Sequence, residues 1–185
     1  VTAWLRLSSM IDALNRRVGR AVSWLILAMT VVSAANAVSR KAFNVASNAF
    51  LEVQWYLFAA VFLLAAGYTL HRNGHVRIDV LSSRLTPRTR LWIELVATLL
   101  FLFPFALIVL RHGVPFFMDA VTQREVSINA GGLVIWPVKL LVPAGFALLL
   151  LQGVSQVVKT IAALRGALPV DAPFATHADA DSVRT

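Results

Sequence analysis

Four stretches without a charged side chain constrain this chain more than any other feature. Nineteen uncharged residues separate Arg20 from Arg40, eighteen separate Glu52 from His71, sixteen separate Glu94 from Arg111, and nineteen separate Lys139 from Lys159. A helix needs about 20 mostly apolar residues to cross a hydrocarbon layer about 30 Å thick. The third stretch reaches that length when Leu91, Trp92 and Ile93 are included and Glu94 snorkels to the interface. The runs are continuous instead of alternating, which disfavours the strands of a membrane barrel. The sequence therefore predicts an all-α integral membrane protein with four transmembrane helices, at about 20–40, 52–71, 89–112 and 136–160.

Composition agrees with this reading. The chain is 58% apolar and 14% charged, against roughly 45–50% and 25% in soluble domains. It contains no cysteine, so a disulfide framework, a thiolate metal site and a thiol nucleophile are excluded. The net charge of +8 does not indicate nucleic acid, because the basic residues flank the apolar runs and line no soluble groove.

Those basic residues set the expected orientation, since short cytoplasmic segments keep an excess of Lys and Arg. The N-terminal segment (Arg6, Arg16, Arg17, Arg20), the second connection (Arg72, Arg77, Arg84, Arg88, Arg90) and the tail (Lys159, Arg165, Arg184) hold twelve of them. The other two connections hold five: Arg40, Lys41, Arg111, Arg124 and Lys139. Both termini are expected in the cytoplasm. Residues 1–19 read as an amphipathic helix at the membrane surface, with Trp4, Leu7, Ile11, Leu14 and Val18 forming one apolar stripe and Arg6, Asp12, Arg16 and Arg17 elsewhere on the wheel. The competing reading is a cleaved secretory signal ending near Ala35-Asn36-Ala37.

Within the spans, Thr30/Ala34 and Ser33/Ala37 are small residues four apart, suited either to close helix approach or to lipid. Glu52, Gln54, Trp55 and Tyr56 open the second helix as an interfacial girdle, and Gly67 offers close packing. Thr86-Pro87 reads as an N-cap followed by proline at the first helical position. Pro104 is expected to kink the third helix. Val114, Phe117 and Val121 suggest a short surface helix between His112 and Gln123, and Gly131-Gly132 ends that connection. Trp136-Pro137 starts the fourth helix, which Pro143 and Gly145 bend. Residues 20–166 thus form the membrane domain. Residues 167–185, rich in Pro and Asp with little periodicity, read as a disordered cytoplasmic tail.

Chemistry is sparse. No charge falls inside the four runs, whereas chains that move ions through their own helices usually display one. No phosphate-binding loop is present, and His71 and His75 are interrupted by Gly74 and lack a third metal ligand. Neither an enzyme nor a bound cofactor is expected. The polar residues gather instead in two connections: His75, Arg77 and Asp79 on the inner side, and Glu125, Ser127, Gly131, Gly132 and Lys139 on the outer. They suit docking to another membrane protein or bracing of the bundle itself. A small self-contained multidrug exporter and a membrane anchor subunit of a redox enzyme are the other classes this pattern leaves open.

At these residues the chain resembles the DctQ-like small membrane subunit of the tripartite ATP-independent periplasmic (TRAP) transporters. The shared features are Glu52 with Trp55 and Tyr56; Gly74-His75-Val76-Arg77-Ile78-Asp79; Glu125-Val126-Ser127; Gly131-Gly132-Leu133; Trp136-Pro137-Val138-Lys139; Pro143-Ala144-Gly145-Phe146; and Leu151-Gln152-Gly153. They occur in the family's order over roughly residues 52 to 153. The resemblance implies an inner-membrane subunit that braces a large, elevator-type permease. That complex takes up an organic acid delivered by a periplasmic binding protein, and it is driven by sodium, not ATP. It also implies that Trp55, Trp136 and the fourth helix belong to a fixed scaffold, and that the outer connection helps dock the binding protein.

Overall fold

The computed structural model describes residues 2–44, 47–72, 85–129, 132–170 and 172–173. Among these, all regular secondary structure is helical, and four helices are long and apolar enough to cross a membrane. Helix α1 runs from Thr2 to Phe43 without interruption. No proline precedes Pro87, so nothing breaks the helix where the surface segment was expected to meet the first span. At 1.5 Å per residue it is about 60 Å long, twice a hydrocarbon layer. It ends at Asn44, whose φ of 55° is the left-handed conformation that asparagine tolerates after a helix.

The face that α1 turns to the bundle is its polar one. Ser8, Asp12 and Asn15 are buried together with Ile11 and Val22, whereas Trp4, Leu7 and Leu14 from the apolar stripe are exposed. In water this would be inside out. Beside lipid it is the lower-energy choice, because a polar group needs a protein partner where no water is available and an apolar stripe does not.

Helix α2 spans Asn48–His71. Helix α3, Pro87–Ala97, begins as its sequence predicts: Thr86 accepts from the Thr89 amide at 3.3 Å, and Pro87 holds the first position, where no donor is missed. At the expected kink the chain makes a π-helical turn, Thr98–Leu102. The Phe103 amide donates to the carbonyl of Thr98, five residues back, and the wider turn accommodates the Pro104 ring, which has no donor to return.

Helix α4 follows directly, Phe103–Thr122. The expected surface helix over 112–123 is therefore the outer end of this same rod. The reason is a seam of small residues. Ala106, Gly113 and Ala120 recur every seventh position and are all buried, which keeps α4 against the last helix along its full length.

That last helix, α5 (Trp136–Leu164), is the centre of the molecule. A third of its most apolar window is buried, against 6% and 11% for the corresponding windows of α1 and α2. It packs on α1, α2, α3 and α4. At Gly145 the helix backbones come close, since a Cβ would lie 2.6 Å from the Leu63 carbonyl oxygen of α2. Pro143 lies within the helix and is buried. Beyond Pro173 the expected tail lies outside the described residues.

Candidate functional site

Two polar clusters hold the bundle, one toward each end, named outer and inner after the orientation expected from the charge distribution. The outer one is built on Glu52, in the second turn of α2 and only 3% exposed. Its carboxylate accepts from the Ser127 hydroxyl, from Asn129 Nδ2 at 2.7 Å and from the Leu133 amide at 2.7 Å. These three donors belong to the connection between α4 and α5. That connection is a tight loop: Val126 and Val134 form an antiparallel bridge, the Ser127 amide donates to the Leu133 carbonyl at 2.9 Å, and the Ile135 amide donates to Glu125 at 3.0 Å. Gly132 is needed here, because a Cβ would fall 2.6 Å from that of Ser127. One helical turn after Glu52, the Tyr56 hydroxyl donates to the Val134 carbonyl at 3.2 Å.

The base of the loop has its own fastening. Lys139 pairs with Glu125, and its ammonium lies 4.1 Å from the centre of the Phe116 ring. Trp136 meets Phe117 edge to face at 6.5 Å, and Pro137 occupies the first turn of α5. Charge-assisted hydrogen bonds of this kind are shorter and roughly twice as strong as neutral ones. Glu52 therefore closes the loop onto α2 more firmly than any apolar contact there.

The inner cluster joins α1, the end of α2, and α5. Asp12 Oδ1 accepts from Ser155 Oγ at 2.7 Å and from Gln152 Nε2 at 2.9 Å, while Oδ2 pairs with Lys159. His71 Nδ1 lies 3.5 Å from Asp12, and Arg16 reaches His71 Nε2 at 3.4 Å. Asn15 Nδ2 donates to Gln152 Oε1 at 3.0 Å. The hydroxyls of Ser8 and Ser155 are 2.7 Å apart; the Ser155 proton is directed at Asp12, so Ser8 is the donor between them. Asn15 also abuts Gly67, where a Cβ would collide with its Oδ1.

Of the residues singled out in the sequence, Glu52, Tyr56, Glu125, Ser127, Gly132, Trp136, Pro137 and Lys139 meet at the outer loop. Gln152 belongs to the inner cluster, and Pro143 and Gly145 lie between the two. Trp55 is 64% exposed and lines the hollow beside the outer loop together with Glu52, Tyr56 and Ser127. His75, Arg77, Asp79 and Gly131 lie outside the described residues. The inner hub of Ser8, Asp12, Asn15, Arg16, His71, Ser155 and Lys159 was not singled out. A signal for it exists: Ser8, Asp12 and Asn15 are spaced four and three apart, and Gln152, Ser155, Gln156 and Lys159 repeat the helical spacing on the partner. Among the described residues, no group of three or more His, Asp or Glu side chains could hold a metal ion.

The molecule so defined is a helical membrane bundle whose polar side chains tie its own helices together. The family model for the DctQ component of the tripartite ATP-independent periplasmic transporters matches residues 29–163, and the chain belongs to that family. It is the small permease subunit of a TRAP transporter, a transport component and not an enzyme. Its family implies partnership with a large permease and a binding protein. No curated protein and no solved structure matches the chain.

Proposed function

We propose that this subunit is the fixed frame of an inner-membrane, sodium-coupled transporter. In this reading it braces a large elevator-type permease that imports an organic acid handed over by a periplasmic binding protein. The observation that carries the reading is the fate of the charged groups. Asp12, Lys159, Glu52, Glu125 and Lys139 are all engaged within the chain, so they stiffen helices and do not line a path for cargo. An elevator requires one body that stays still while another moves, and a bundle locked at both ends meets that requirement.

The outer loop, presented by Glu52 and Tyr56 on the side opposite the basic inner connections, is the surface offered to the binding protein. Both termini then lie in the cytoplasm. Uptake in proteoliposomes containing the large permease tests the reading. Transport should need this subunit, the binding protein and an inward sodium gradient, and should proceed without ATP. Undiminished uptake in its absence would defeat the proposal.

A further inference from the structure

The first turn of α1 and the last two turns of α5 leave a hollow of about 520 Å³ between them. It is lined by Trp4 and Leu5 on one side and by Val158, Ile161 and Ala162 on the other, with Arg165 at its end. Its level in the membrane follows from the sequence. The run from Lys139 to Lys159 is about 30 Å long as a helix, one hydrocarbon layer, so Val158 lies at the inner edge of that layer. Arg165, seven residues further on, is about 10 Å beyond it, among the headgroups, the level that an exposed tryptophan such as Trp4 favours. Toward the membrane centre, Val154 and Leu151 continue the Val158 face one and two turns on, and both are exposed.

Arg165 is not needed by the helix it ends. The amides of Arg165, Gly166 and Ala167 donate to the carbonyls of Ile161, Ala163 and Ala162 at 3.0, 3.0 and 2.9 Å, so the turn itself caps α5. Among the described residues the Arg165 side chain has no ion pair, nor has that of Arg6, next to Leu5. Asp12, the one acid in α1, is taken by Lys159. The hollow thus joins an apolar passage, open to the hydrocarbon, to an uncompensated positive charge among the headgroups.

A phospholipid has its groups in this order, acyl chain first and phosphate last. The end of a partner's transmembrane helix would bring polar residues to this level, against Trp4, Leu5 and Ile161, where an acyl chain brings methylenes. The unpaired arginines favour a net negative headgroup over a zwitterionic one, by about fivefold for each basic side chain that reaches it. We infer that the hollow is a site for one anionic phospholipid, with an acyl chain laid over Ile161 and Val158 and the phosphate on Arg165. This goes beyond the scaffold reading and does not depend on it.

The full-length chain, alone and in complex with the large permease, is placed in nanodiscs of phosphatidylcholine with a minor share of phosphatidylglycerol whose acyl chain carries a diazirine, and irradiated. Adducts should concentrate on the segments holding Trp4 and Leu5 and Val158 to Ala162. Arg165→Gln should lower them about fivefold, Arg165→Lys should keep most of them, and Arg20→Gln, further along α1, should change them less than about twofold. Phosphatidylcholine with the same diazirine chain should label the hollow about fivefold less. Val158→Trp fills the apolar end and should also lower labelling, with the protein eluting as the unmodified chain does. Equal labelling by the two lipids, or labelling indifferent to Arg165→Gln, would overturn the site. Labelling of the chain alone that vanishes in the complex would also overturn it, giving the hollow to the large permease.

Discussion

Arg16 and His71 fix each other's chemistry. A guanidinium can only donate, so the His71 Nε2 that lies 3.4 Å from Arg16 Nη1 must accept, and the imidazole proton sits on Nδ1, facing Asp12 at 3.5 Å. His71 thus passes a hydrogen bond from one α1 residue to another one turn away. Replacing His71 with leucine leaves Arg16 and Asp12 without this link and should cost about 1–2 kcal/mol. Thermal unfolding in detergent should show a lower midpoint for His71→Leu and a smaller loss for His71→Gln, which can still donate and accept.

Asp12 should be the most sensitive position in the chain. Removing one member of a largely buried pair costs about 3–5 kcal/mol, because the charge left behind has no counter-ion. Asp12→Ala is expected to destabilise strongly by abandoning Lys159 and orphaning Ser155 and Gln152. Asp12→Leu combined with Lys159→Met should recover much of the loss, and a double-mutant cycle by thermal melts measures the coupling.

The Glu52 clamp predicts a local effect. Glu52→Ala deprives Ser127, Asn129 and the Leu133 amide of one shared acceptor. Hydrogen exchange at Leu133 should accelerate at least tenfold, while amides in the middle of α5 keep their protection. Equal acceleration in both places would mean that Glu52 supports the whole bundle and not the loop alone.

Gly145 predicts a packing effect. A methyl group added there would sit 2.6 Å from the Leu63 carbonyl, so α2 and α5 would have to separate. Gly145→Ala should destabilise by about 1–3 kcal/mol. Gly166, with φ at 74° and open space around it, should lose only the backbone term of about 1–2 kcal/mol on the same change. Melts of the two variants compare the effects directly.

The helices were legible because a long uncharged run admits few other fates beside lipid, and the start of α3 was legible because Thr86-Pro87 is local chemistry. The outer cluster was partly legible, since Glu52, Glu125, Ser127 and Lys139 stand out as polar groups beside apolar runs. Asp12 did not stand out. It lies among arginines on a helix that reads as a surface segment, and its partners Gln152, Ser155 and Lys159 are at the far end of the chain. Spacing can show that a helix has a polar stripe, but it cannot show which other stripe that one faces. The direction of the α1 apolar stripe was obscured for the same reason.

The π-helical turn at Thr98–Leu102 acts as a phase adjuster. Buried positions along the rod fall at Leu91, Thr98, Ala106, Gly113 and Ala120, steps of seven except for the single step of eight that crosses the turn. The added residue absorbs about 100° of helical rotation, so α3 and α4 show α5 the same side although Pro104 stands between them. Deleting one residue from this turn would leave every other side chain in place in the sequence. It would nonetheless swing Leu91 out toward lipid and carry Glu94 away from Gln156, whose Nε2 donates to it at 3.5 Å, so the count of residues here matters more than their identity.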